Sequence, residues 1–176
     1  MPSIIQENGE FKSSRSYRSA PQDFVVLEEV ILEIEAQYQR FVELTGEQLH
    51  YFEGHAVASN NFYRELKILA KRHGLPYLGF SLEEPVRFRN TALYISMESI
   101  KSGYEPFLSL KKAAQKDYGP SGCAMFVCHP GYLDAYILKT SSLTIPRVLE
   151  VEMACSPETK KWLSEQGIQV ITYDEL

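Results

Sequence analysis

The stretch Ala124-Met125-Phe126-Val127-Cys128-His129-Pro130-Gly131-Tyr132-Leu133-Asp134 decides how the rest of the chain is read. A short apolar run reads as a buried strand, and the Pro-Gly pair after His129 breaks it at once. A histidine at the C-terminal lip of a strand is where open α/β sheets and barrels place their chemistry. Working outward, the question is which other residues reach that lip.

Toward the N-terminus, Glu105 to Tyr118 carries a helical pattern stopped by Gly119. Residues 81–103 are broken by Pro85 and Asn90, and Ala92 to Ile100 fits a short helix or a strand. Leu75 to Phe80 reads as a short strand. Before it, Phe62, Leu66, Leu69 and Ala70 line one face of a helix that Asn60 or Asn61 caps and Gly74 ends. Gln48 to Gly54 reads as another strand, with Tyr51, Glu53 and His55 on one side of it. Residues 23–45 form an amphipathic helix through Val26, Val30, Ile34, Phe41 and Leu44, with Asp23 as cap and Gly46 as stop. Residues 1–22 lack a period and read as a loop or a poorly ordered segment.

Toward the C-terminus, residues 135–143 read as loop. A helix follows from Pro146 to about Cys155, and another starts at Ser156-Pro157, with Trp162 and Leu163 buried. Ile168 to Tyr173 alternates like a last strand. Strands alternating with helices of about 10–15 residues predict an α/β fold with a parallel sheet. At 176 residues, the chain is expected to form a single domain.

In such a sheet the strand C-termini share one edge, so Glu53, His55 and His129 are expected at the same lip. Two imidazoles and a carboxylate suit a divalent metal, Mg or Zn, and a metal-activated water suits hydrolysis of an amide or ester. Ordinary loop histidines with hydrogen bonds are the alternative. Tyr132 and Asp134 would contact substrate or orient His129, or else Asp134 merely holds its own turn. Arg147 and Glu150, at i and i+3, read as an exposed ion pair. Cys128 reads as a small buried hydrophobe, His50 as buried early in a strand, and His73 as a cation in a helix's last turn.

Composition sets the outer bounds. Net charge is −5 and 44% of residues are hydrophobic. No basic stripe interleaved with aromatics suggests a nucleic-acid partner, and Lys111, Lys112 and Lys116 read as the wet face of a helix. No run of about 18 apolar residues suggests a membrane span, and no leader is evident. Three cysteines without a CxxC pair suggest reduced thiols and a cytoplasmic location.

Three segments together resemble the YdjC-like family of carbohydrate deacetylases, which includes the chitooligosaccharide deacetylases. They are Glu33 to Phe41 with Leu44-Thr45-Gly46, Phe52-Glu53-Gly54-His55, and His129-Pro130-Gly131-Tyr132 with Asp134, Ser141-Ser142 and Arg147-x-x-Glu150. The resemblance implies a (β/α) barrel-like fold, a divalent metal held by one aspartate and two histidines, and removal of acetyl groups from N-acetylated sugars. His55 and His129 would be the two histidines, and Glu53, Tyr132, Asp134 and Arg147 would contact substrate or tune the site around them. Glu53 stands where the family has aspartate. Neither the family's Asp-Asp strand nor its Gly-x-His strand matches, so the chain reads as the C-terminal two-thirds of such an enzyme, incomplete at the N-terminus. That reading leaves activity reduced or absent in this chain, with the general base outside it. It also leaves a non-enzymatic alternative, in which a fragment or structural protein buries its open sheet edges as a homodimer.

Overall fold

The computed structural model describes residues 1–176, and the chain divides into two units, Met1–Gly79 and Phe80–Leu176.

The first unit is built on two helices. Helix α1 (Ser14–Arg18) and an isolated bridge between Ile5 and Phe11 occupy the segment expected to be loop. Ile4 and Tyr17 are buried in the core there, and the Tyr17 ring stacks on Phe24 at 5.6 Å. Helix α2 (Leu27–Thr45) buries Val30 and Ile34 one turn apart and ends at Gly46, whose φ of 73° is left-handed. It starts later than the sequence suggests. Its N-cap is Val26, and Asp23 instead accepts hydrogen bonds from Ser59 Oγ at 2.9 Å and Asn61 N at 2.9 Å. Asp23 thus secures the start of helix α3 (Asn60–Arg72) from across the chain. Ser59, not Asn60 or Asn61, caps α3 by accepting from Phe62 N at 3.0 Å.

Strands β1 (Phe52–Glu53) and β2 (Tyr77–Leu78) pair in parallel on either side of α3, with Phe52 opposite Tyr77. The expected strand from Gln48 to Gly54 contracts to two residues, and His50 lies exposed before it. His73, at the end of α3, sets its Nε2 2.9 Å from Glu35 Oε2.

In the second unit, strands β3 (Val86–Phe88) and β4 (Thr91–Ser96) make an antiparallel hairpin inside the stretch that resisted reading. Helix α4 (Pro106–Ala114) then crosses over to strand β5 (Gly122–Phe126), which pairs in parallel with β4. The sheet order is β3-β4-β5, a mixed sheet where a wholly parallel one was expected. Helix α5 (Ala135–Thr140) replaces the expected loop, and α6 (Ile145–Cys155) and α7 (Pro157–Glu165) follow. Trp162 and Leu163 of α7 are half-buried. Lys111 is not simply solvated: its Nζ lies 4.1 Å from the Phe107 ring centre and 5.4 Å from that of Trp162.

The last expected strand does not form. Val170 is 78% exposed, so its alternation faces no core. The chain closes in a short 3-10 turn, Tyr173–Glu175, held by Arg89 Nη1 on Tyr173 O at 2.9 Å. The hydrogen-bonded strands thus form two small sheets, of two and three strands, in a mixed α/β fold. No helix is long and apolar enough to cross a membrane.

Candidate functional site

The turn after β5 is held from helix α6. Val127 N still bonds Ser96 O at 2.8 Å, which extends the parallel register one residue past β5. His129 then donates its backbone N–H to Glu150 Oε2 at 2.6 Å, and Gly131 donates to Arg147 O at 3.2 Å. The Arg147 side chain donates to Leu143 O at 3.0 Å and reaches His129 O at 3.5 Å. A Cβ at Gly131 would make only ordinary contact with Arg147, 3.4 Å from its Nη1.

His129 Nδ1 is buried and has no hydrogen-bond partner. A desolvated ring nitrogen without a partner costs stability, and native structures retain such atoms where a ligand or a chemical role uses them. An imidazole lone pair in that state fits a metal.

Glu150 overturns the reading of an exposed ion pair. It is 0% exposed, and its second oxygen accepts from Tyr104 Oη at 2.9 Å. Its two partners are a backbone amide and a phenol, both neutral. Burial pushes the Tyr104 hydroxyl far above its usual range, and the hydrogen bond and charge of Glu150 add to the rise. Burial, then the same charge, raises the Cys128 thiol. Cys128 therefore stays protonated at neutral pH, which argues against a thiolate nucleophile.

The other residues of the turn face elsewhere. Asp134 caps α5 by accepting from Ile137 N at 2.8 Å, which is work for a local turn. Tyr132 is 80% exposed, so its ring is available to a ligand from solvent.

In the first unit, β1 delivers Glu53, Gly54 and His55. A Cβ on Gly54 would stand 2.5 Å from Tyr63 Cε1 and 2.9 Å from Phe62 Cε1, so only glycine lets this strand end lie on α3. Ala56, with φ 58°, then takes a left-handed turn that alanine rarely adopts. His55 is exposed. Glu53 is exposed as a residue, yet desolvation raises its carboxyl above the usual range, and the charge of His55 works against that rise.

The raised Glu53 value has a sign in stability. The folded state holds the proton more tightly than the unfolded chain does. Stability is therefore lost as pH rises from the unfolded value, about 4.3, through the folded one. Glu53→Gln removes that loss. Its thermal midpoint should exceed the parent's at neutral pH, with the gap closing below about pH 4. An equal gap at both pH values would contradict the shift.

The structure thus brings Glu53 to His55 in one unit and Arg147 to His129 in the other. The two histidines follow strands of different sheets. No group of three His, Cys, Asp or Glu side chains forms a metal cluster within either unit. Glu150 and Tyr104 are the polar residues at the turn whose role the sequence reading missed. Helix α6 buries Glu150 and Met153 and leaves Ile145, Val148 and Leu149 exposed, so its apolar residues gave no sign of which face is buried.

Comparison with known proteins extends this picture. The family model described as YdjC-like protein matches residues 1–165. Carbohydrate deacetylase 2 of Listeria innocua is 27% identical, over 98% of this chain and 69% of that relative. The chitooligosaccharide deacetylase of Serratia marcescens is 29% identical, over 100% of this chain and 72% of the relative. The crystal structure of an Enterococcus faecalis protein, provisionally described as a cellobiose-phosphate cleavage protein, superposes with a TM-score of 0.71 over 99% of this chain and 69% of that one. At 22% identity that likeness concerns the fold alone.

Proposed function

The chain belongs to the YdjC-like family, and from that premise we propose that it is a carbohydrate deacetylase acting on the acetamide of N-acetylated, chitooligosaccharide-like sugars. The observation that carries the reading is the His129-Pro130-Gly131 turn, with a buried Nδ1 left unpartnered at the end of β5. Relatives named carbohydrate and chitooligosaccharide deacetylase support the substrate class.

The reading includes a divalent metal, Mg or Zn, with His129 as a protein ligand in the second unit. A bound metal of this kind supplies an activated water and polarises the scissile carbonyl. The chain's own residues do the rest. Arg147 keeps the His129 turn in place by its bonds to the carbonyls of Leu143 and His129. Glu53, beside His55 in the first unit, belongs to the same reading as a substrate or supporting contact. Tyr132 offers an exposed ring on which a sugar can stack. The (β/α) barrel-like fold, the homodimer and the cytoplasmic location belong to the same proposal. Three free cysteines agree with that location.

The test is acetate release from an N-acetylglucosamine oligomer by the protein with added divalent metal. Release that depends on both metal and oligomer is the expected result. A rate no higher than that of metal and sugar without protein would reject the reading.

A further inference from the structure

Glu150 is the one fully buried carboxylate of the second unit, and nothing in the proposed chemistry uses it. An ionised carboxylate without a cationic partner is costly to bury, by several kcal/mol even after relaxation (order of magnitude). Two hydrogen bonds from neutral donors reduce that cost without cancelling it. The carboxylate accepts from His129 N at 2.6 Å and from Tyr104 Oη at 2.9 Å. The first of these acceptor oxygens belongs to helix α6, and the amide belongs to the residue whose ring carries the free nitrogen. Tyr104 fixes the other oxygen from the segment before α4, so the carboxylate is held in one rotamer by the elements on either side.

We propose that Glu150, locked by Tyr104, is a positioning residue for His129. It fixes the backbone from which the ring projects. The proposal rests on the reading of His129 as a metal ligand. A Glu150 that served packing alone would give a different result in the experiment below.

Glu150→Gln keeps the shape and one acceptor oxygen and removes the charge. Zn2+ affinity, measured by calorimetry on the full chain, should fall about 10- to 100-fold. The imidazole nitrogens provide a second readout without metal. The chain has 4 histidines, and in 15N spectra the His129 signals, identified by their loss in His129→Ala, should move in Glu150→Gln while those of His73 stay. Tyr104→Phe should act in the same direction and more weakly, and it carries the test if Glu150→Gln does not fold. If His129→Ala loses Zn2+ but the folded variant keeps parental affinity and parental His129 signals, the positioning role alone is overturned. If His129→Ala binds Zn2+ as the parent does, the metal reading falls and takes the positioning role with it.

Discussion

Replacing His129 with alanine is expected to lower acetate release by about 100-fold or more, while the thermal midpoint moves by no more than about 4 °C. The two halves of that expectation have separate causes. The contact that anchors His129 is its backbone N–H on Glu150 at 2.6 Å, and alanine keeps it. The contacts of Gly131 and of the His129 carbonyl with Arg147 are likewise independent of the imidazole. What alanine deletes is a ring whose Nδ1 is buried without a partner. Removing an unsatisfied polar atom relieves a desolvation cost, which offsets part of the lost packing. The fold should therefore survive a change that removes the chemistry. Acetate release together with circular dichroism on one preparation decides the matter. Loss of activity together with a large fall in melting temperature would make His129 a scaffold residue.

The legibility of this fold in the sequence follows the length of its elements. Helices α2 and α3 run far enough for an apolar stripe of period 3.6, and Val30, Ile34, Leu66 and Leu69 are buried where that stripe predicts, while Val26 and Leu44 at its ends are exposed. Strand β5 was legible because its apolar run ends in Pro-Gly. β1, at two residues, is too short to express a period of two, so its length was overread. The β3-β4 hairpin was hidden by its own turn. Arg89, not glycine or asparagine, takes the left-handed position there with φ 52°, and the Asn90 beside it reads as loop. The closing segment shows the opposite failure. Ile168 to Tyr173 alternates correctly, but no neighbouring strand pairs with it, and alternation alone does not make a sheet.

The placement of the candidate residues was legible in part for a related reason. His129 and His55 were expected just after strands, and they follow β5 and β1. Asp134 was read as a substrate contact, an orienting group or the holder of its own turn; its observed bond, from Ile137 N, caps a helix where the sequence read as loop. Glu150 was read by its charge and spacing, which suggest a surface pair with Arg147. Its burial depends on Tyr104 and the His129 amide, far away in sequence, and no local pattern encodes such partners.

The same dependence on distant partners makes Phe88→Ala the most damaging single change expected in the second unit. Phe88 is 1% exposed, at the end of β3, beside the equally buried Leu93 of β4. Its ring meets Tyr173 edge-on at 5.8 Å, and the Arg89 guanidinium lies 5.3 Å from its centre. One ring thereby ties the hairpin to the closing turn of the chain. Alanine there should cost about 3–5 kcal/mol, the transfer of a phenyl group plus the cavity it leaves. The single tryptophan, Trp162, lies in this unit, so its fluorescence in a urea titration reports the loss directly. Far-UV circular dichroism, which also sees α2 and α3, should show a smaller early change if the two units unfold separately. The effect must also reach the site, because β3 pairs with β4, β4 with β5, and β5 leads into the His129 turn. Acetate release in Phe88→Ala should therefore fall at urea concentrations where the parent is still fully active. A shift in the fluorescence transition worth less than about 1 kcal/mol would mean that the hairpin is held by its backbone ladder and not by this ring.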